Sequence, residues 1–181
     1  VVTAGASGLL YFWDMGSVSH SSCCRCALRS DRIFCDLPAD VLQALDDIKT
    51  VKACPRGTAL FLEGRQARGV FVLCDGRAKL TICAEGRKRL QVRTAGPGEV
   101  LGLSSALSGR PYELTAETVD ACQVAFVKRR DLLKFLREHC EACLQVVNLL
   151  SGDLHTAYER VRTIGLSRTR RPRAQARSAR A

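Results

Sequence analysis

Seven glycines, Gly57, Gly64, Gly69, Gly76, Gly86, Gly96 and Gly98, cut residues 50–98 into short runs in which apolar side chains recur at every second position. Nothing else in the 181-residue chain restricts its fold as strongly. A period of two sends alternate side chains to opposite faces of a pleated strand, and glycine supplies the turns between strands. Runs 59–62, 70–74, 77–84, 88–94, 114–119 and 122–127 therefore predict strands. In 77–84, Ala78, Leu80 and Ile82 share one face and Arg77, Lys79 and Thr81 the other, the pattern of a half-buried strand. Many short strands at this spacing predict a mainly β protein, a barrel of the jelly-roll or double-stranded β-helix kind.

Helices flank this region. In 37–48, Leu42, Leu45 and Ile48 fall at helical spacing and Pro38 suits a first turn. A short helix is expected over 130–138, with Leu132, Leu133, Phe135 and Leu136 on its apolar side. A longer one follows over about 141–164. Its Val147, Leu150, Leu154, Ala157, Val161 and Ile164 step by three and four alternately, the spacing of a coiled-coil seam. Such a stripe packs either on the barrel or on a second copy of the chain, and a homodimer seam is the preferred reading.

Charge and cysteine content narrow the classes further. The net charge of +10 includes six arginines among the last fourteen residues, and without them the chain carries +4. Residues 167–181 are expected to form a disordered Arg-rich tail that contacts DNA phosphates without reading sequence. Residues 1–22, rich in Gly, Ser and Ala, are also expected to be disordered, and the part before Met15 reads as an upstream extension. No apolar run approaches the roughly 20 residues of a membrane span, and the N-terminus lacks the pattern of a signal peptide. Ten cysteines without a secretion signal imply reduced thiols and a cytoplasmic location. His20, His139 and His155 have no Ser, Cys or carboxylate partners in sequence, so an enzyme is not expected.

The order of these parts, with GTALFLEGRQARGVFVLCDGRAKL at 57–80 and PGEVLGL at 97–103, resembles the sensory half of Crp/Fnr-type bacterial transcription regulators. The resemblance covers about 23–166. It implies a Cys-rich arm at 23–36, a cyclic-nucleotide-binding-like barrel with short helices at 37–139, and a dimerisation helix at 140–166. A complete regulator of this type continues into a winged helix-turn-helix. Only seventeen residues follow Ile164, so the chain is expected to stop short of its DNA-binding domain.

In such domains, backbone N–H groups at the start of a short helix face the cyclic phosphate, an Arg neutralises it and a carboxylate accepts the ribose hydroxyl. Gly98, Glu99 and Gly102 match that cradle. The family's Glu after the second glycine is here Leu103, and its Arg falls at Tyr112, beside Glu113. Both charged partners are missing, so ordinary cyclic AMP binding is not expected. Arg110, with Ser104 and Ser105, offers substitute contacts. Another anionic or small ligand in the same pocket, or no nucleotide role at all, stays open.

Cys23-x-x-Cys26-x8-Cys35 adds a second chemistry, because a C-x-x-C aims two thiolates at one metal and a third Cys adds a ligand. The oxygen-sensing branch of the family carries a comparable arm with its fourth ligand in the strand before the short helix, where Cys122 stands. The resemblance thus offers a [4Fe–4S] cluster on Cys23, Cys26, Cys35 and Cys122. Against it, Cys122 alternates with Val124 and Phe126 on an apolar face, and a free Cys often serves as a small core residue. The expected function is that of an effector-sensing, dimerising domain of a Crp/Fnr-type regulator. A redox sensor on the Cys arm and a ligand-free dimerisation module are its alternatives.

Overall fold

The computed structural model describes residues 10–14, 16, 22–23, 36–83 and 89–169. The expectations for Met15, His20, Cys26, Cys35, Gly86 and the basic segment from 170 onward lie outside the described residues. Two compact units divide the chain, Val1–Gln145 and Val146–Ala181.

The first unit contains a jelly roll with flanking helices. Its strands are β1 (Leu10–Tyr11), β2 (Lys49–Cys54), β3 (Thr58–Phe61), β4 (Gly69–Asp75), β5 (Ala78–Cys83), β6 (Arg89–Ala95), β7 (Val100–Leu101), β8 (Thr115–Thr118) and β9 (Cys122–Lys128). They form two sheets, ordered β1-β3-β8-β5-β6 and β2-β9-β4-β7. Every pairing is antiparallel except β1 with β3. Both sheets are open and together make the jelly roll expected from the sequence, without closing into a continuous barrel. The core between them comprises Phe12, Leu60, Phe71, Leu73, Leu80, Leu101, Val124 and their neighbours. Burying each large apolar side chain removes it from water at a gain of about 1.5–3 kcal/mol.

The alternation expected in 77–84 holds only halfway along β5. The register against β6 shifts between Leu80 and Thr81, and after the shift Thr81 is buried while Ile82 turns outward. The extra residue is Val92 on β6, so the bulge bends the β5–β6 ribbon at this point while β5 keeps its register with β8. A second correction concerns the N-terminus. Residues 10–14 do not belong to a disordered extension: Leu10 pairs with Thr58 and Tyr11 with Ala59, and Phe12 is fully buried.

Helix α1 (Ala39–Ile48) begins after Pro38, whose carbonyl accepts from Leu42 N at 2.9 Å, and buries Val41, Leu42 and Leu45. Helix α2 (Leu103–Ser108) lies between β7 and β8. Helix α3 (Arg129–Glu138) buries Leu132 and Phe135. Helix α4 (Cys140–Thr169) continues from the first unit into the second. Of the expected seam, Val147, Leu154 and Val161 are more than half exposed, Ala157 is exposed and Leu150 is half-buried. The Ile164 side chain lies outside the described ones. Among the described residues, no helix is long and apolar enough to cross a membrane.

Candidate functional site

The segment from Gly96 to Tyr112 forms the cradle that the sequence singled out. Gly98 and Gly102 take φ of 83° and 77°, a left-handed conformation that side-chain-bearing residues rarely adopt. Gly98 N donates to Leu73 O at 2.6 Å and Leu73 N to Glu99 O at 3.0 Å, which fastens the cradle to β4. Both oxygens of the Glu99 carboxylate are occupied within the loop. One accepts from Gly96 N at 2.8 Å and the other pairs with Arg93. Glu99 therefore closes its own turn and is not held open for a ribose hydroxyl.

Past Gly102, the chain turns directly into α2 without a side-chain cap. Leu103, where the family places its Glu, is 3 % exposed and belongs to the core. Ser105 is buried as well, while Ser104 is exposed and donates to Glu113 Oε1 at 3.3 Å. Arg110 is exposed. Its backbone N donates to Ser108 Oγ at 3.4 Å, and among the described residues its guanidinium takes part in no ion pair, so the substitute cation is not drawn into the cradle.

Tyr112 decides the chemistry of this loop. Its hydroxyl donates to Gly69 O at 2.7 Å, and its ring stacks on Phe61 with centroids 4.2 Å apart. The ring also fills the space above Gly102, where an added Cβ would lie 2.7 Å from it. Burial pushes the phenol above its ordinary value, against hydrogen bonds from Gly69 and Arg68 that act the other way. A neutral, fully engaged side chain thus stands where the family resemblance calls for a cation.

Of the four cysteines in the expected set, Cys23 and Cys122 are among the described residues. Cys23 lies beside Lys49 at the start of β2, its Sγ accepting from Lys49 Nζ at 3.0 Å. Cys122 faces Cys54 at the far end of the same strand, five residues on, or about 17 Å along a strand. The two described members of the expected cluster do not share one coordination sphere in this arrangement. Among the described residues, no group of three or more His, Cys, Asp or Glu side chains is placed to hold a metal ion. Cys122 takes the core position that its alternation with Val124 and Phe126 predicted.

Burial raises the Cys23 thiol to about 12, with Asp46 adding to the rise and the Lys49 ammonium opposing it. Asp46 in turn accepts from Lys49 Nζ at 2.6 Å, Cys23 N at 2.9 Å and Ser22 Oγ at 2.9 Å. Burial alone would raise the Asp46 carboxyl, but these donors hold it below its ordinary value.

A feature absent from the sequence reading adjoins the cradle. Tyr11, Trp13, Leu60, Phe61, Leu62, Arg65, Gln66, Arg68, Phe71 and Tyr112 line a cavity of about 380 Å³. Assigning 1–22 to disorder hid it. The run Leu9-Leu10-Tyr11-Phe12-Trp13, aromatic and apolar for five residues, is the signal that pointed to a packed segment.

A family model described as the cyclic nucleotide-binding domain matches residues 51–139. The Thermus thermophilus catabolite activator protein superposes with a TM-score of 0.67 at 21% identity, covering 74% of this chain and 62% of that one. The sensor domain of the transcriptional regulator DNR from Pseudomonas aeruginosa gives 0.61 at 20% identity, covering 73% and 89%. In sequence, human cGMP-dependent protein kinase 2 is 32% identical over 101 residues, 54% of this chain. The chain spans 13% of the length of that kinase. The fold is the jelly roll of a cyclic nucleotide-binding domain followed by a long helix, and its solved neighbours include Crp/Fnr-type regulators.

Proposed function

We propose that this chain, which carries the fold of a cyclic nucleotide-binding domain, is a sensory and dimerising module of a Crp/Fnr-type regulator that does not take cyclic AMP through the usual charged cradle. The observation carrying this reading is Tyr112, whose hydroxyl is bound to Gly69 O and whose ring covers Gly102. A cyclic phosphate bears a full negative charge, and burying it without a cation costs several kcal/mol. Leu103 is in the core, Glu99 is paired with Arg93, and Glu113 adds a negative charge beside Ser104. The backbone shape of the cradle remains, but the groups that reward an anion do not.

The exposed stripe of α4 supports a homodimer. Val147, Leu154 and Val161 are apolar, more than half exposed and spaced as a seam. A ligand-free dimerisation module shares this feature and differs only in having no effector.

Calorimetric titration with cyclic AMP and cyclic GMP tests the first half. No saturable heat is expected up to about 1 mM, a range in which a specific site gives at least −4 kcal/mol of binding free energy. One-to-one binding at micromolar concentration overturns it. Sedimentation tests the second half: the chain runs as a dimer and Leu154→Glu as a monomer. A monomeric parent chain refutes the seam.

A further inference from the structure

The cavity beside Tyr112 has a distinctive make-up. Its floor is apolar and aromatic: Leu60, Phe61, Phe71 and Tyr112 are each at most 8 % exposed. Phe61 and Tyr112 stack, and Trp13, 45 % exposed, meets Phe71 edge-on at 6.4 Å. Aromatic walls of this kind favour a flat ring, which gains offset-stacked and edge-on contacts beyond its buried area. A volume of about 380 Å³ falls in the range of small-molecule sites.

The mouth is cationic. Arg65 and Arg68 are exposed and line the cavity, and the Arg68 guanidinium lies 5.5 Å from the centroid of the Trp13 ring. Neither is among the ion pairs of the described residues. Two uncompensated like charges three residues apart repel, and an anion between them relieves that repulsion while accepting forked hydrogen bonds.

The loop bearing both arginines is pinned in place. Gly64 N donates to Tyr112 O at 2.8 Å, Tyr112 N to Arg65 O at 2.9 Å, Gln66 Nε2 to Gly109 O at 3.0 Å and Arg129 N to Arg68 O at 2.8 Å. Loop ordering is therefore already complete before a ligand arrives, and that cost does not weaken binding.

We infer that this cavity is a binding site for an aromatic carboxylate of one or two fused rings, the ring on the Phe61–Tyr112–Trp13 walls and the carboxylate at Arg65 and Arg68. The site uses none of the α2 backbone donors of the cradle and stands apart from the proposal on cyclic nucleotides.

Trp13 is the only tryptophan of the chain, so its indole N–H gives a single nitrogen–proton NMR signal that reports on this site. The test titrates 2-naphthoate, then 2-naphthamide, into the full chain, and repeats the naphthoate titration with R65Q/R68Q. Both arginines are exposed, so that variant keeps its fold. The inference expects a saturable shift with naphthoate, at least tenfold weaker binding of the neutral amide, and at least tenfold weaker naphthoate binding by the variant. Absence of a saturable shift, equal affinity for the amide, or an unaffected variant overturns it. The amide comparison is made on the unaltered protein and does not depend on the variant.

Discussion

Phe12→Ala tests whether the N-terminal segment is part of the folded unit. Phe12 is fully buried, with its ring centroid 5.1 Å from Phe71, 5.4 Å from Trp13 and 5.8 Å from Phe126. The Lys52 ammonium lies 5.0 Å from the ring centroid and also donates to the Phe12 carbonyl at 3.3 Å. Truncating a buried Phe to Ala costs about 3–5 kcal/mol, through lost transfer free energy and the cavity left behind. The edge-on pair with Phe71 adds within about 0.5–1.5 kcal/mol beyond area. An expected loss of about 4 kcal/mol lowers the thermal midpoint by about 8–16 °C for a unit of this size. Urea denaturation followed by far-UV circular dichroism measures the loss, while Trp13 emission separates undocking of the segment from unfolding of the sheets. A loss under about 1 kcal/mol refutes the packing of residues 10–14, because a disordered extension contributes nothing to the core.

Three further outcomes follow from other contacts. Tyr112→Phe removes the hydroxyl that donates to buried Gly69 O at 2.7 Å and is expected to cost about 1–2 kcal/mol in urea denaturation; no measurable change would show that the bond does not hold the cradle. The Asp46 carboxyl, with its folded value depressed, contributes stability that is present above the unfolded value of about 4 and is lost as pH falls through the folded value. Asp46→Asn should therefore be less stable than the parent above about pH 5, with the gap closing in acid; a gap constant with pH contradicts the role of its three donors. Burial first, and then Cys122, pushes the Cys54 thiol up to about 12, and burial also raises Cys122. At pH 8, Ellman's reagent should label exposed Cys83, Cys140 and Cys143 on the order of 10³-fold faster than Cys54, and equal rates would refute this.

Much of the fold was legible because it rests on local periodicity. The runs at 70–74, 77–84, 88–94 and 122–127 match β4, β5, β6 and β9 to within about two residues at each end. Helices α1 and α3 were visible in the spacing of Leu42 and Leu45 and of Leu132 and Phe135. Strand β2 was missed, because Lys49-Thr50-Val51-Lys52-Ala53-Cys54 carries two lysines and little alternation; it is a strand because β9 pairs with it along six positions. The two-residue strands β1 and β7 are too short for any period and exist only through their partners β3 and β4.

The candidate site divides in the same way. Residue type and spacing set Gly98, Glu99 and Gly102 in the order of the cradle, and the family resemblance places its two charged groups at Leu103 and Tyr112. Tertiary structure alone decided what Tyr112 does, since Gly69 and Phe61 reach it from strands more than forty residues away. It also decided that Cys23 and Cys122 stand at opposite ends of β2, and that Tyr11 and Trp13 meet Arg65 and Arg68 around one cavity. Local pattern specifies which face of an element seeks the core. Which distant side chain it meets there is settled only when the two sheets close over each other and bury them together.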